Sequence, residues 1–184
     1  MQTLEDKLKK RSGIIAAVSL VIGAFLLLDF IASLIALLWL LISSPESSQF
    51  YQFLLIALHA NSKGVLCAEI GIDMVSALML MLIIRHAYLF FKSTKNDARP
   101  FKADNIIKLK KAGIGMIVYA FVEVIARKGF YASFADSAPA PQVPDPAFII
   151  AALLLFAIAL IFEYGALLQQ LSDETLYVIL WLSY

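Results

Sequence analysis

The stretch from Ile14 to Ile42 constrains this chain more than any other feature: it is apolar throughout, broken only by small residues and Asp29. A helix crosses the hydrocarbon of a bilayer in about 20 residues, so this run has room for tilt or an extra turn outside the lipid. It is about twice the length of a signal-peptide apolar core and is read as a retained helix. Composition agrees. The chain has 184 residues, 61% of them hydrophobic, with a mean hydropathy of +0.84. Soluble domains are roughly 45–50% apolar, and one soluble core of this length cannot hide the excess. The expected fold class is all-α: a single membrane domain over residues 1–184, built as a four-helix transmembrane bundle with both ends in the cytoplasm.

The expected spans are about 14–42, 65–91, 112–134 and 147–168. A turn-rich break, Ser43 to Gln49, follows the first. Phe50 to His59 is apolar but too short to cross, and is expected at the interface or packed over the bundle. A basic connector, 92–111, joins the second and third spans and ends in the amphipathic pattern Ile106, Ile107, Leu109 with Lys108, Lys110 and Lys111. A proline-rich loop, Ser137 to Pro146, precedes the fourth. The tail is acidic and then apolar, with Tyr177 to Leu182 at the inner interface or without a role.

Orientation follows from Lys and Arg in the flanks. Four lie before the first span and eight between Arg85 and Lys111, but only Lys63 lies in the loop after the first span. The basic flanks belong inside. A net charge of +1 gives no indication of direct nucleic-acid binding.

Charges inside the spans are the next signal: Asp29, Glu69, Asp73, Glu123 and Arg127 form a candidate intramembrane cluster, with Glu163 as an inner-leaflet acid. A central Asp or basic residue costs about 2.5–3.5 kcal/mol on insertion, and each Leu, Ile, Phe or Val returns about 0.3–0.6. The first span has 19 such apolar residues and tolerates Asp29; the second has 10 against two acids. The third is weaker, with Glu123, Arg127 and Lys128. The second and third helices are therefore expected to depend on each other. At about 1.5 Å per residue, Asp73 and Glu123 fall at similar depth, and so do Glu69 and Arg127. Arg127 is thus within reach of Glu69 or Asp73, and Glu163 is placed to snorkel to the headgroups. Two readings follow. In the structural one, a single Arg neutralises acids and holds the bundle together. In the functional one, the surplus acids retain a proton or bind a cation.

Chemistry of other kinds finds no foothold. His59 and His86 lie on opposite sides, so no zinc spacing exists. No glycine-rich phosphate loop appears, and no nucleophile, base and orienting acid can be assembled. No cofactor, metal or enzymatic activity is expected. The lone Cys67 reads as a small buried hydrophobe.

Two stretches carry a family resemblance: Arg99-Pro100-Phe101-Lys102-Ala103-Asp104-Asn105 running on to Gly113, and Phe162-Glu163-Tyr164-Gly165 running on through Gln169, Asp173 and Glu174 to Leu176. They resemble the paired signatures of the small bacterial membrane family known as domain of unknown function two-nine-seven-five. The resemblance implies four helices in a bacterial inner membrane and no settled biochemistry. It also implies, as a partner, a small cytoplasmic helix-turn-helix regulator often encoded beside such proteins. Lys102 departs from the family, where a hydroxyl residue usually caps the helix, and Tyr177 to Tyr184 extend beyond its usual end.

The first hypothesis is therefore a membrane sensor or anchoring partner. Its cytoplasmic docking candidates are Pro100, Phe101, Asp104, Asn105, Lys108, Lys110 and Lys111, with a C-terminal motif of Gly165, Gln169, Asp173 and Glu174. The second is an ion- or proton-coupled transporter or channel subunit, which four helices would form only as a homo-oligomer. The third is a structural or immunity-type bundle.

Overall fold

A computed structural model describes residues 2–42, 48–97, 101–135 and 143–182. Those residues are helical, without strands: α1 (Gln2–Ile42), α2 (Gln49–Ala57), α3 (Lys63–Asp97), α4 (Ala103–Phe134) and α5 (Pro146–Leu182). Segments of α1, α3 and α5 are long and apolar enough to cross a membrane, which marks the chain as a membrane protein. The third expected span, within α4, does not qualify alone. Its 32 residues suffice in length, but Glu123, Arg127 and Lys128 fall inside any window that avoids Lys110 and Lys111.

The helices start and stop where the local chemistry requires. At the head of α3, the Ser62 hydroxyl accepts the Val65 amide at 3.3 Å and the Ser62 carbonyl accepts that of Leu66, an N-cap arrangement. In α5, Pro146 takes the first helical position, where its missing N–H costs nothing. Asp145 Oδ1 accepts the Ala147 amide at 2.8 Å. At the head of α4, no side chain caps the helix; the Lys102 carbonyl receives the Asn105 and Ile106 amides. Asp104 adds negative charge to the positive end of the helix.

Three helices run further than the apolar pattern alone indicates. α1 begins at Gln2, α3 continues through Asp97 and α5 is continuous to Leu182. Within the connector 92–111, α3 carries on to Asp97 and α4 begins at Ala103, so the amphipathic stretch from Asp104 runs on as helix into the expected third span. No breaker stands between Phe91 and Asp97, and the Thr94 hydroxyl satisfies itself on the Phe90 carbonyl at 3.1 Å. At 41 residues, α1 is about 60 Å long, roughly twice the hydrocarbon thickness.

Packing is serial. α1 lies on α3, α3 on α4, and α4 on α5. Each pair is antiparallel: Gly13 meets Lys95 and Gly23 meets Ile84, while Gly64 meets Phe134 and Gly71 meets Phe130. Gly71 lies so close under the Phe130 ring that an added Cβ would be 2.5 Å from it. α2 closes the end of the α1–α3 pair where α1 finishes and α3 begins. Its Tyr51 is buried with Leu40, Leu66, Cys67 and Ile70, and Phe50 meets Trp39 edge-on at 5.5 Å. After α2, His59 takes a positive φ of 50°, a helix-ending conformation that favours glycine.

Candidate functional site

Two regions bring the sequence candidates together. The first is the charged cluster between α3 and α4. Arg127 Nη1 donates to Glu69 Oε1 at 2.8 Å and Oε2 at 3.1 Å. The Tyr131 hydroxyl donates to the same Oε1 at 2.5 Å. Arg127 and Glu69 side chains are only 18% and 19% exposed. The antiparallel register places them there: Gly71 against Phe130 fixes the helices one turn away. Of the two partners open to Arg127 in sequence, it takes Glu69 rather than Asp73. Arg127 Nε is buried without a hydrogen-bond partner.

The remaining acids lie around this pair without joining it. Asp73 is within electrostatic reach of Asp29, Glu69, Glu123 and Arg127, so α1, α3 and α4 all contribute to one field. Among the described residues, Asp29, Asp73 and Glu123 make no ion pair. Asp29 and Asp73 are exposed on the protein surface, and Glu123 is half-buried. Glu123 lies within hydrogen-bonding reach of the buried Tyr119 hydroxyl, as does Ser76. Among the described residues no three His, Cys, Asp or Glu side chains converge closely enough to hold a metal ion.

The second region is where the start of α4 meets the middle of α5, which brings the two motifs together. Phe101 packs edge-on against Phe162 at 5.2 Å, and its ring lies over Gly165, where an added Cβ would be 3.0 Å away. Phe162 in turn stacks on Phe90 of α3 at 6.1 Å. Lys110 Nζ donates to Glu163 Oε1 at 2.6 Å, with both side chains about two-fifths exposed. Glu163 is thus paired with Lys110 rather than left to reach the headgroups alone. A groove of about 440 Å³ runs beside this pair, lined by Ala103, Ile106, Ile107, Ala166, Leu167 and Gln170.

The docking candidates divide. Asn105 is fully buried and is removed from any outer face. Lys108 pairs with Asp104 at 2.5 Å one turn back, and Lys111 is exposed. Gln169 and Glu174 are exposed, and Gln170 donates to Glu174 at 2.9 Å. Pro100 and the side chain of Asp173 lie outside the described residues.

Tyr131, Tyr119 and the Lys110 partnership were not among the expected contacts. The tyrosines were readable, since each stands four residues from a charged member of the cluster on the same helix face: Tyr119 before Glu123 and Tyr131 after Arg127. Comparison with family models, with curated proteins and with solved structures finds no match.

Proposed function

We propose that this chain is a multi-pass protein of a bacterial inner membrane whose inner end anchors a soluble cytoplasmic partner, a small helix-turn-helix regulator. α4 is the fourth crossing in this reading. It is sandwiched between two helices apolar enough to span, and its one buried charge pair is satisfied within the protein. Both termini then lie on the cytoplasmic side, as the basic flanks require.

One observation carries the reading. The two stretches singled out in sequence, at Phe101 to Lys111 and Phe162 to Glu174, join in one surface through Phe101, Phe162, Gly165, Lys110 and Glu163. A groove with apolar walls and a charged rim is the type of surface that receives an amphipathic helix. Those two motifs are the specific part of the family resemblance, which is what names the partner class.

The test is crosslinking in cells from an exposed position of that groove, such as Ile107 or Leu167, followed by identification of the captured protein. Capture of a DNA-binding regulator that is lost in Gly165→Val, which displaces the Phe101 ring, supports the proposal. Capture of none, with transcripts unchanged on removal of residues 102–111, ends it. A tag placed between Lys92 and Asp97 that is labelled from outside intact cells ends the orientation.

Asp73 favours a second reading. Its carboxylate sits unpaired in a field of three other acids and one Arg, at bilayer depth, where ionisable groups mark proton or ion paths. A homo-oligomer would form the pathway. Proton or cation flux into liposomes that falls with Asp73→Asn supports this reading, and unchanged flux excludes it.

A further inference from the structure

We propose that the groove between α1 and α3 holds one acyl chain of an anionic phospholipid, its headgroup phosphate lying against Arg85. The cavity has a volume of about 660 Å³, within the range of pockets that enclose small ligands. Its walls are apolar, with Leu20 of α1 facing Leu78 and Leu82 of α3. Gly23 forms the trough: a Cβ there would meet only Ile84, at 3.8 Å. The single hydroxyl on the α1 wall, Ser19, already donates to the Ile15 carbonyl at 2.9 Å. Nothing along the length of the groove asks for a polar guest.

Its inner end is different. Arg85 and Tyr88 stand there, and Lys92 lies 5.4 Å above the Tyr88 ring. Arg85 is exposed, and among the described residues no carboxylate pairs with it. It stands twelve residues after Asp73, about 120° round the helix, away from the acids. The fitting guest has a long apolar tail and an anionic head at the membrane surface. A phospholipid has both, and basic pockets between membrane helices are where anionic headgroups bind. A second copy fits poorly, because a two-fold contact through this face would set Arg85 against Arg85.

The inference rests on the membrane reading and not on a cytoplasmic partner. The test uses the purified full chain in phosphatidylcholine nanodiscs containing spin-labelled phosphatidylglycerol or spin-labelled phosphatidylcholine. The protein-immobilised fraction of each is read by electron paramagnetic resonance. Immobilisation of the anionic lipid is expected to be favoured roughly fivefold, matching about 1 kcal/mol per basic residue near the surface. Arg85→Gln abolishes the preference while its helical spectrum stays unchanged. Gly23→Leu fills the trough and lowers immobilisation of both lipids. Lys128→Gln, at the far end of α4, leaves the preference intact. Equal immobilisation of both lipids by the unaltered protein overturns the proposal, as does a preference that survives Arg85→Gln. A dimer that Gly23→Leu dissociates, with no headgroup preference, assigns the groove to a second copy and also overturns it. No regulator is present in the disc, so failure to capture one in cells leaves this result standing.

Discussion

The ion pairs Arg127–Glu69 and Lys110–Glu163 each cross neighbouring antiparallel helices, and they differ in what surrounds them. Arg127 with Glu69 is four-fifths buried between α3 and α4, and Tyr131 adds a third partner. Lys110 with Glu163 joins α4 to α5, about two-fifths exposed, beside an aromatic cluster. The first pair satisfies the buried charges where α3 and α4 lie together. The second is a clasp on a contact that Phe101, Phe162 and Phe90 already make. Burial, not the presence of opposite charges, decides which pair holds the fold: a buried charge without its partner is costly, whereas a solvated pair contributes little.

Removing one side of each pair tests the contrast. Arg127→Ala leaves Glu69 buried without its counter-charge and should destabilise by about 3–5 kcal/mol, read by thermal or denaturant unfolding in nanodiscs. If Arg127→Ala melts with the unaltered protein, the two regions are not different in kind. Tyr131→Phe deletes one hydrogen bond to a charged group and should cost roughly 1.5–3 kcal/mol in the same assay. Gly71→Ala forces its methyl against Phe130 and should cost about 1–3 kcal/mol by overpacking. Pairing it with Phe130→Leu should recover part of that loss. Lys110→Ala should fall within about 1 kcal/mol of the unaltered protein. A larger loss would mean that the inner clasp is as structural as the buried pair.

The same contrast explains how much was legible beforehand. Apolar length exposes α1, α3 and α5, because nothing but lipid favours such runs. Glu69 with Arg127 was reachable by counting helical rise, since two charges in adjacent helices have few other partners at that depth. The interruption expected at Arg99-Pro100 lies outside the described residues; α4 begins after it, at Ala103. Asn105 was misjudged as an exposed docking residue, since its burial depends on where α4 meets its neighbours and not on local pattern. The helical continuation from Lys92 to Asp97 was missed for a related reason: polar residues outside the hydrocarbon carry no apolar period to read. Lys110 with Glu163 bridges 53 residues of chain and required the register of α5.

Serial packing has a consequence for biogenesis. Each long helix finds its main neighbour in the long helix made just before it, so assembly can follow synthesis without a distant segment closing the structure. The exception is a matter of charge. Glu69 leaves the ribosome 58 residues ahead of the Arg127 that neutralises it, an interval of about 3–12 s at ordinary elongation rates. For that time the apolar stretch of α3 carries Glu69 and Asp73 without the Arg127 counter-charge that α4 brings.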